Sequence, residues 1–335
     1  MAEAAGSWAP AASCRLISAA AGGREAAEEA VIAASPNRER VAGVELGGTK
    51  CVATLAEGRS VLDQVRIATT APGETLAALA DVLRRWQGFG ALGIASFGPV
   101  DLDPASPTYG FITSTTKPGW HDTDVLGPLA AVLGVPAAFD TDVNGAALAE
   151  MRWGAGRGFA DFAYVTVGTG VGVGLVVNDR PTRGFLHGEL GHVRVPRLAG
   201  DDWPGACPFH GACVEGLASG TAIRARLGGA EVDALRPEDP IWDGVAHALA
   251  QLCHVIVCAA APRRIAIGGG VVERQPHLMP RIGSALVESI AGYMPIPDPE
   301  TYVCAPALGP LAGPLGAVAL AQRLLGAEEG EGSGL

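Results

Sequence analysis

VAGVELGGTKCVATLAEGRSVLDQVRIAT, residues 41–69, holds the pattern that decides the fold. Three short runs rich in β-forming residues are separated by Gly-containing turns, which predicts a three-stranded meander. Working outward, a helical pattern follows over residues 74–86, with Leu76, Leu79, Ala80 and Leu83 on one face. LGIASFG (92–98) reads as a buried strand, and PVDLDPASPTYGFITSTTKPGW (99–120) as a long loop. A loop of that length in a compact domain is usually functional or disordered; here it is placed to line a site or a subunit contact. A short helix near 123–133 leads to the strand VPAAFD (135–140), and DVNGAALAEMRWG (142–154) reads as a helix starting right after it.

At Phe162 the β pattern restarts: FAYVTVG, a turn, then VGVGLVV form a second Gly-rich hairpin. Helices near 216–227 and 240–260, a strand in RRIAIGGGVV (263–272), a helix near 277–290, the short strand VCAPAL (303–308) and a final helix over 312–325 complete the chain. Strands alternating with helices give an α/β class. Two halves that each open with a Gly-rich hairpin suggest a duplicated topology with a ligand cleft between them.

The 335 residues suffice for two domains, and with 48% apolar residues the core is substantial. A net charge of −11 argues against nucleic acid as a partner, because phosphate-backbone binding needs clustered Lys and Arg. It leaves open a nucleotide held by backbone N–H groups and a cation. Seven Cys, at 14, 51, 207, 213, 253, 258 and 304, are an odd, scattered set that reads as a reducing, cytoplasmic setting and not as a disulfide framework. No uncharged apolar run of membrane-spanning length stands out, so no membrane partner is expected. Residues 1–40 are Ala-rich with interspersed acids, unlike a signal or transit peptide, and read as a disordered extension; 326–335 read as a disordered tail.

Three Gly turns, ELGGTK (45–50), VGTGVGVG (167–174) and IGGGVV (267–272), each follow a strand. Gly lets a backbone approach a phosphate and aim its N–H groups at it, although any one such turn is also ordinary hairpin chemistry. None matches a dinucleotide fingerprint or a Walker A loop. DTDVN (140–144) sits at a strand-to-helix junction. Asp142 there is the first helical residue or its N-cap, and can take a proton from a hydroxyl that attacks a phosphoryl group. HGELGH (187–192) adds Glu189 and His192, and Glu215 is a third candidate; such side chains suit a polyol.

CPFHGACVEG (207–216) sets Cys207, His210 and Cys213 three apart. His192 supplies the fourth ligand of a closed Cys2His2 zinc site, structural because no position is left for water. A Cys207–Cys213 disulfide and inert thiols are the competing readings. In the zinc reading the clip aims Glu215 and the free imidazole nitrogen of His192 at a substrate.

ELGGTK, SFGPVDL with SPTYGFITSTTKPGW, DTDVNGAALAE, GTGVGVG, GELGH, CPFHGACVEGLASG and IGGGV occur in one order. Together they resemble the ROK family (repressors, open reading frames and sugar kinases), most closely its zinc-containing fructokinases, over residues 41–325. The resemblance implies an actin-like ATPase fold of two ribonuclease-H-like α/β domains around a cleft. It divides the chain into a smaller lobe (41–140 plus about 308–325) and a larger one (141–307) with a zinc-stapled segment at 187–216. It implies ATP, Mg2+ and structural Zn2+, a hexose substrate and a homodimer. Asp142 matches the catalytic base. Asn144, Glu189, His192 and Glu215 match sugar-contacting positions. Gly47, Gly48 and Thr49, with Lys50 beside them, match the first phosphate loop. Gly168, Thr169 and Gly170 match the second loop, and Gly268, Gly269 and Gly270 the turn beside adenosine. His192, Cys207, His210 and Cys213 match the zinc ligands. Glu45 stands where sugar kinases of this fold usually carry Asp, and can reach Mg2+ through water. His210 replaces a Cys common in relatives, and the 40-residue leader has no counterpart. The implied reaction is transfer from ATP to the 6-hydroxyl of D-fructose, with a broader mannose/glucose kinase as alternative. A sugar-responsive repressor would need a helix-turn-helix, for which residues 1–40 are too short and too Ala-rich.

Overall fold

The computed structural model describes residues 40–331 except 132, 133, 231, 233 and 234, so the expected extension over 1–39 and residues 332–335 lie outside the described residues. The opening stretch forms β1 (Arg40–Leu46), β2 (Lys50–Glu57) and β3 (Ser60–Ala68), an antiparallel meander. Arg40 already belongs to β1 and pairs with Glu57 at 3.1 Å. After α1 (Pro72–Arg85), β4 (Leu92–Ser96) joins parallel to β1, and β7 (Ala137–Thr141) joins parallel to β4. The first sheet therefore runs β3-β2-β1-β4-β7. Between β4 and β7 the long loop folds back through a small hairpin, β5 (Phe111–Ile112) and β6 (Thr123–Asp124), before α2 (Leu126–Ala131).

The second sheet repeats the plan. β8 (Phe162–Val167), β9 (Val171–Val177) and β10 (Arg180–Pro181) form the meander, and β11 (Ile265–Gly268) and β12 (Val303–Cys304) add in parallel, giving β10-β9-β8-β11-β12. The duplication read from the two Gly-rich hairpins is thus present in the strand order. β12 is only two residues long, because the chain leaves the sheet before Pro306, which has no N–H for a ladder. The helix expected near 216–227 is two helices, α4 (Val214–Ala218) and α5 (Gly220–Arg226). Ser219 breaks them: its backbone is extended, and its Oγ accepts the Ala222 N–H at 3.0 Å, which caps α5.

Each sheet has its own core. Leu46, Leu79, Leu83, Ile94 and Trp120 fill the first, while Val165, Trp242, Leu249, Ile256 and Leu286 fill the second. The second is covered by α6 (Ile241–Ala260) and α8 (Leu278–Ile290), with α7 (Gly270–Arg274) and α9 (Pro299–Tyr302) at its margins. α6 is, among the described residues, the one helix long and apolar enough to span a membrane, but Trp242, Leu249 and Ile256 bury one side of it in this core.

α3 (Asp142–Trp153) and α10 (Ala312–Glu331) join the halves. α10 extends six residues past the end expected from sequence, to Glu331. The helix lies directly on β1 and β4: a methyl on Gly93 would collide with the Ala317 carbonyl. It crosses α3 where Gly316 meets Gly145, a contact with no room for side chains. Backbone-to-backbone packing of this kind lets the two helices cross at close range.

Candidate active site

Leu46, Ser96 and Thr141 stand in one row across the first sheet, at the C-terminal ends of β1, β4 and β7. The first Gly turn, the long loop and the start of α3 therefore leave from one edge, the usual position for a ligand in an open α/β sheet. Thr141, not Asp142, is the N-cap of α3; its Oγ1 accepts the Asn144 N–H at 3.1 Å. Asp142 is the first helical residue, half-buried, with Oδ1 accepting the Val143 N–H at 2.8 Å.

The other two polar residues of DTDVN have support roles. Asp140 is buried and accepts from Thr141 N–H and Asn144 Nδ2, both at 2.8 Å, and from Arg183 Nη2 at 2.5 Å. Asn144 is buried as well, with its amide nitrogen engaged by Asp140. This network locks the first turn of α3, and with it the direction of Asp142.

The first Gly turn is held by Gly47 N–H to the Lys50 carbonyl (3.1 Å) and by Thr69 Oγ1 to the Gly47 carbonyl (2.7 Å). Gly48 faces open space, and Thr49 and Lys50 are exposed beside it. In the second turn Gly168 also faces open space, Gly220 N–H donates to the Gly168 carbonyl (2.7 Å), and Thr221 Oγ1 donates to the Thr169 carbonyl (2.8 Å). The third turn ends β11, whose Gly268 lies in register with Thr166 of β8, so the second and third turns share one edge of the second sheet. Gly269 has φ +92° and packs so close to Val167 that a methyl would meet its backbone at 2.6 Å. The start of α3 sits against β9: Val143 contacts Gly172 and Gly174, which brings Asp142 near the second turn.

The four expected metal ligands converge, with donor atoms all within 4.8 Å of one another. His192 Nδ1 lies 3.6 Å from both Cys207 Sγ and Cys213 Sγ, and His210 Nδ1 lies 3.6 Å from Cys207 Sγ. A tetrahedral zinc with ordinary bond lengths needs nitrogen–sulfur edges of about 3.5 Å. The donor set therefore fits zinc, and both thiols are free, which removes the disulfide reading. His192 turns its other nitrogen, Nε2, toward Glu215 Oε1 at 3.9 Å. Glu215 Oε2 accepts the Val171 N–H at 3.1 Å, so the clip braces the second Gly turn through one carboxylate.

The acids crowd one another. Burial, and then the charge of Asp142, push Glu45 up to about 7. Burial, Asp142 and Glu215 do the same for Glu189. Asp142 itself is raised to about 6, mainly by burial, against the lowering effect of the Val143 N–H. Glu45 packs against Gly313 at the start of α10.

Three residues escape the sequence reading. Lys117 Nζ donates to the Gly48 carbonyl at 2.6 Å, although it lies in the long loop. Arg183 holds Asp140 from the segment after β10. The ring of His187 is buried, and its Nε2 accepts the Val100 N–H at 3.0 Å, with Nδ1 at 3.4 Å from Glu189 Oε1. An accepting Nε2 places the proton on Nδ1, facing Glu189, and burial lowers the ring's pKa, which keeps it neutral. Only the length of the loop signalled the first. The other two are ordinary residues with partners far along the chain, Asp140 for Arg183 and Val100 for His187.

The ROK family profile matches residues 41–324. The chain is 41% identical over 283 residues to a fructokinase of Pediococcus pentosaceus, covering 84% of this chain and 97% of that protein. It is 41% identical over 287 residues to a fructokinase of Zymomonas mobilis, covering 83% and 95%. Among solved structures, a ROK family glucokinase from Streptomyces griseus in complex with glucose and AMPPNP superposes with a TM-score of 0.67 at 25% identity, over 85% of this chain and 99% of that one.

Proposed function

This chain belongs to the ROK family, and on that premise we propose that it is an ATP-dependent fructokinase, giving fructose 6-phosphate and ADP. The observation that carries the reading is the placement of Asp142. It is a half-buried carboxylate raised to about 6, fixed by the Asp140–Asn144–Arg183 network and set at the sheet edge from which the first open Gly turn leaves. A base with a pKa near the working pH is the kind that removes a proton as a bond forms.

Asp142 accepts the proton of the fructose 6-hydroxyl as its oxygen bonds to the terminal phosphorus of ATP, and the bond to the leaving ADP oxygen breaks. The N–H groups of Gly48 and Thr49 in the first turn and of Thr169 and Gly170 in the second hold the phosphates, and the turn at Gly268–Gly270 lies toward the adenosine. When bound, Mg2+ would supply positive charge to offset that of the phosphates. Glu45, raised by burial and then by the charge of Asp142, is a hard oxygen donor on this edge that would suit it through water. Glu189, His192 Nε2 and Glu215 face the sugar hydroxyls, and Asn144 acts through Asp140. His192 Nδ1, Cys207, His210 Nδ1 and Cys213 would hold zinc, and with four protein donors that site would be structural. The halves, joined at the α3–α10 crossing, close on the substrates and exclude water.

ADP release from MgATP across fructose, mannose, glucose and N-acetylmannosamine tests the assignment. A fructose preference of about a hundredfold in kcat/KM is expected. Equal rates on several hexoses would make it a broad hexokinase. Asp142→Asn should lower kcat by at least about a thousandfold with sugar binding intact; retained turnover would place the base elsewhere.

A further inference from the structure

Lys117 sits in the loop between β4 and α2, yet its ammonium lies on the β1–β2 turn, where Nζ donates to the Gly48 carbonyl. The backbone that delivers it is anchored three residues on. Trp120 is fully buried, its Nε1 donates to the Thr70 carbonyl at 2.9 Å, and Phe97 meets its ring edge-on at 5.4 Å. The loop therefore returns to the first turn by construction, because Thr70 directly follows Thr69, which holds Gly47.

The topology gives this position its meaning. β4 lies between β1, which ends in the Gly turn, and β7, which ends at Asp142. A side chain delivered by the β4 loop onto the turn brings a cation to the sheet edge where Glu45 and Asp142 concentrate negative charge. A neutral carbonyl is a weak partner for an ammonium compared with an anionic oxygen. The space above Gly48 is open, so an anion can reach the same nitrogen without moving the backbone.

We propose that Lys117 is a catalytic residue that exchanges the Gly48 carbonyl for the terminal phosphate oxygens of ATP. Its charge then offsets the charge on the phosphoryl group in transit between ADP and the acceptor. The inference rests on the kinase reading above and names a contact specific to the third phosphate.

The test compares binding of AMPPNP and ADP, each with Mg2+, to zinc-loaded full-length protein by calorimetry. Lys117→Met should weaken AMPPNP about tenfold or more and ADP less than about twofold, and Lys117→Arg should keep most of the AMPPNP affinity. Equal weakening of both nucleotides would mean that Lys117 only staples the turn, and no weakening would mean that it does not touch the phosphate; either overturns the proposal. Lys117→Gln provides the same comparison if the Met variant melts at a lower temperature. An AMPPNP effect in the variants, beside a wild type that phosphorylates no hexose, would sink the fructokinase reading and leave Lys117 assigned. A wild type that binds neither nucleotide overturns both.

Discussion

The two Gly turns at the heart of the cleft are built on the same strand plan but are held by different means. The Gly47–Thr49 turn belongs to a sheet with a long β3, and it needs only Thr69, one strand away, and Lys117 from the adjoining loop. The Gly168–Gly170 turn belongs to a sheet whose third strand has two residues, and it is braced from outside by Gly220, Thr221 and Glu215. Glu215 lies two residues beyond Cys213, so the second turn is tied to the Cys/His cluster whose donors fit a metal. Where a sheet supplies too little framework of its own, a metal can take its place.

Removing zinc should separate the two turns most sharply. Stripping it with a strong chelator should lower kcat at least about a hundredfold and expose the hydrogen-bonded amides of Gly168 and Val171 to hydrogen exchange, leaving that of Gly47 protected. Equal exchange in both turns would end the distinction. Metal analysis of fresh protein should find one zinc per chain.

Adding a methyl to each turn is the next test. Gly170→Ala meets Glu215 Oε2 at 2.5 Å and should cost about 1–2 kcal/mol of stability. Gly48→Ala meets nothing within 4 Å and should leave stability within about 0.5 kcal/mol. Urea denaturation reads both, and similar losses would show that the two turns are equally enclosed.

His187 ties the segment that carries Glu189 to the loop after β4. His187→Ala leaves the buried Val100 N–H without a partner, which should cost about 1–3 kcal/mol. KM for fructose should rise while KM for ATP holds; a parallel rise in both would mean that the contact supports the whole cleft.

The smallest effect is that of pH. Asp142 has its pKa raised from 3.8 to about 6 in the folded protein, so between those values the folded chain binds the proton that the unfolded chain has lost. Its contribution to stability is greatest at the acid end and falls as pH rises through this window. The ligand-free protein should lose melting temperature from pH 4.5 to 6.5, and less in Asp142→Asn. Turnover should run the opposite way, rising through about pH 6 as the base ionises; a variant with the same melting slope would remove Asp142 as its source.

The strand plan and the Cys/His cluster are legible along the chain. The meander over 41–69 and its counterpart from Phe162 are local alternations bounded by Gly turns, and Cys207, His210 and Cys213 are close enough in the chain to converge without help. Asp142 was legible because a polar run directly after a buried strand has few other uses. Only the tertiary structure decided that Thr141 is the cap, that Asn144 serves Asp140, and that Glu215 braces the second turn. It also decided that Lys117 and His187 belong to the site. The Glu215, Lys117 and His187 contacts join residues 44 to 87 positions apart: Val171 with Glu215, Lys117 with Gly48, and Val100 with His187. Periodicity and propensity describe neighbours along the chain. Which distant donor meets which acceptor is set by strand order, and by the glycine contacts that let α10 lie flat on the first sheet.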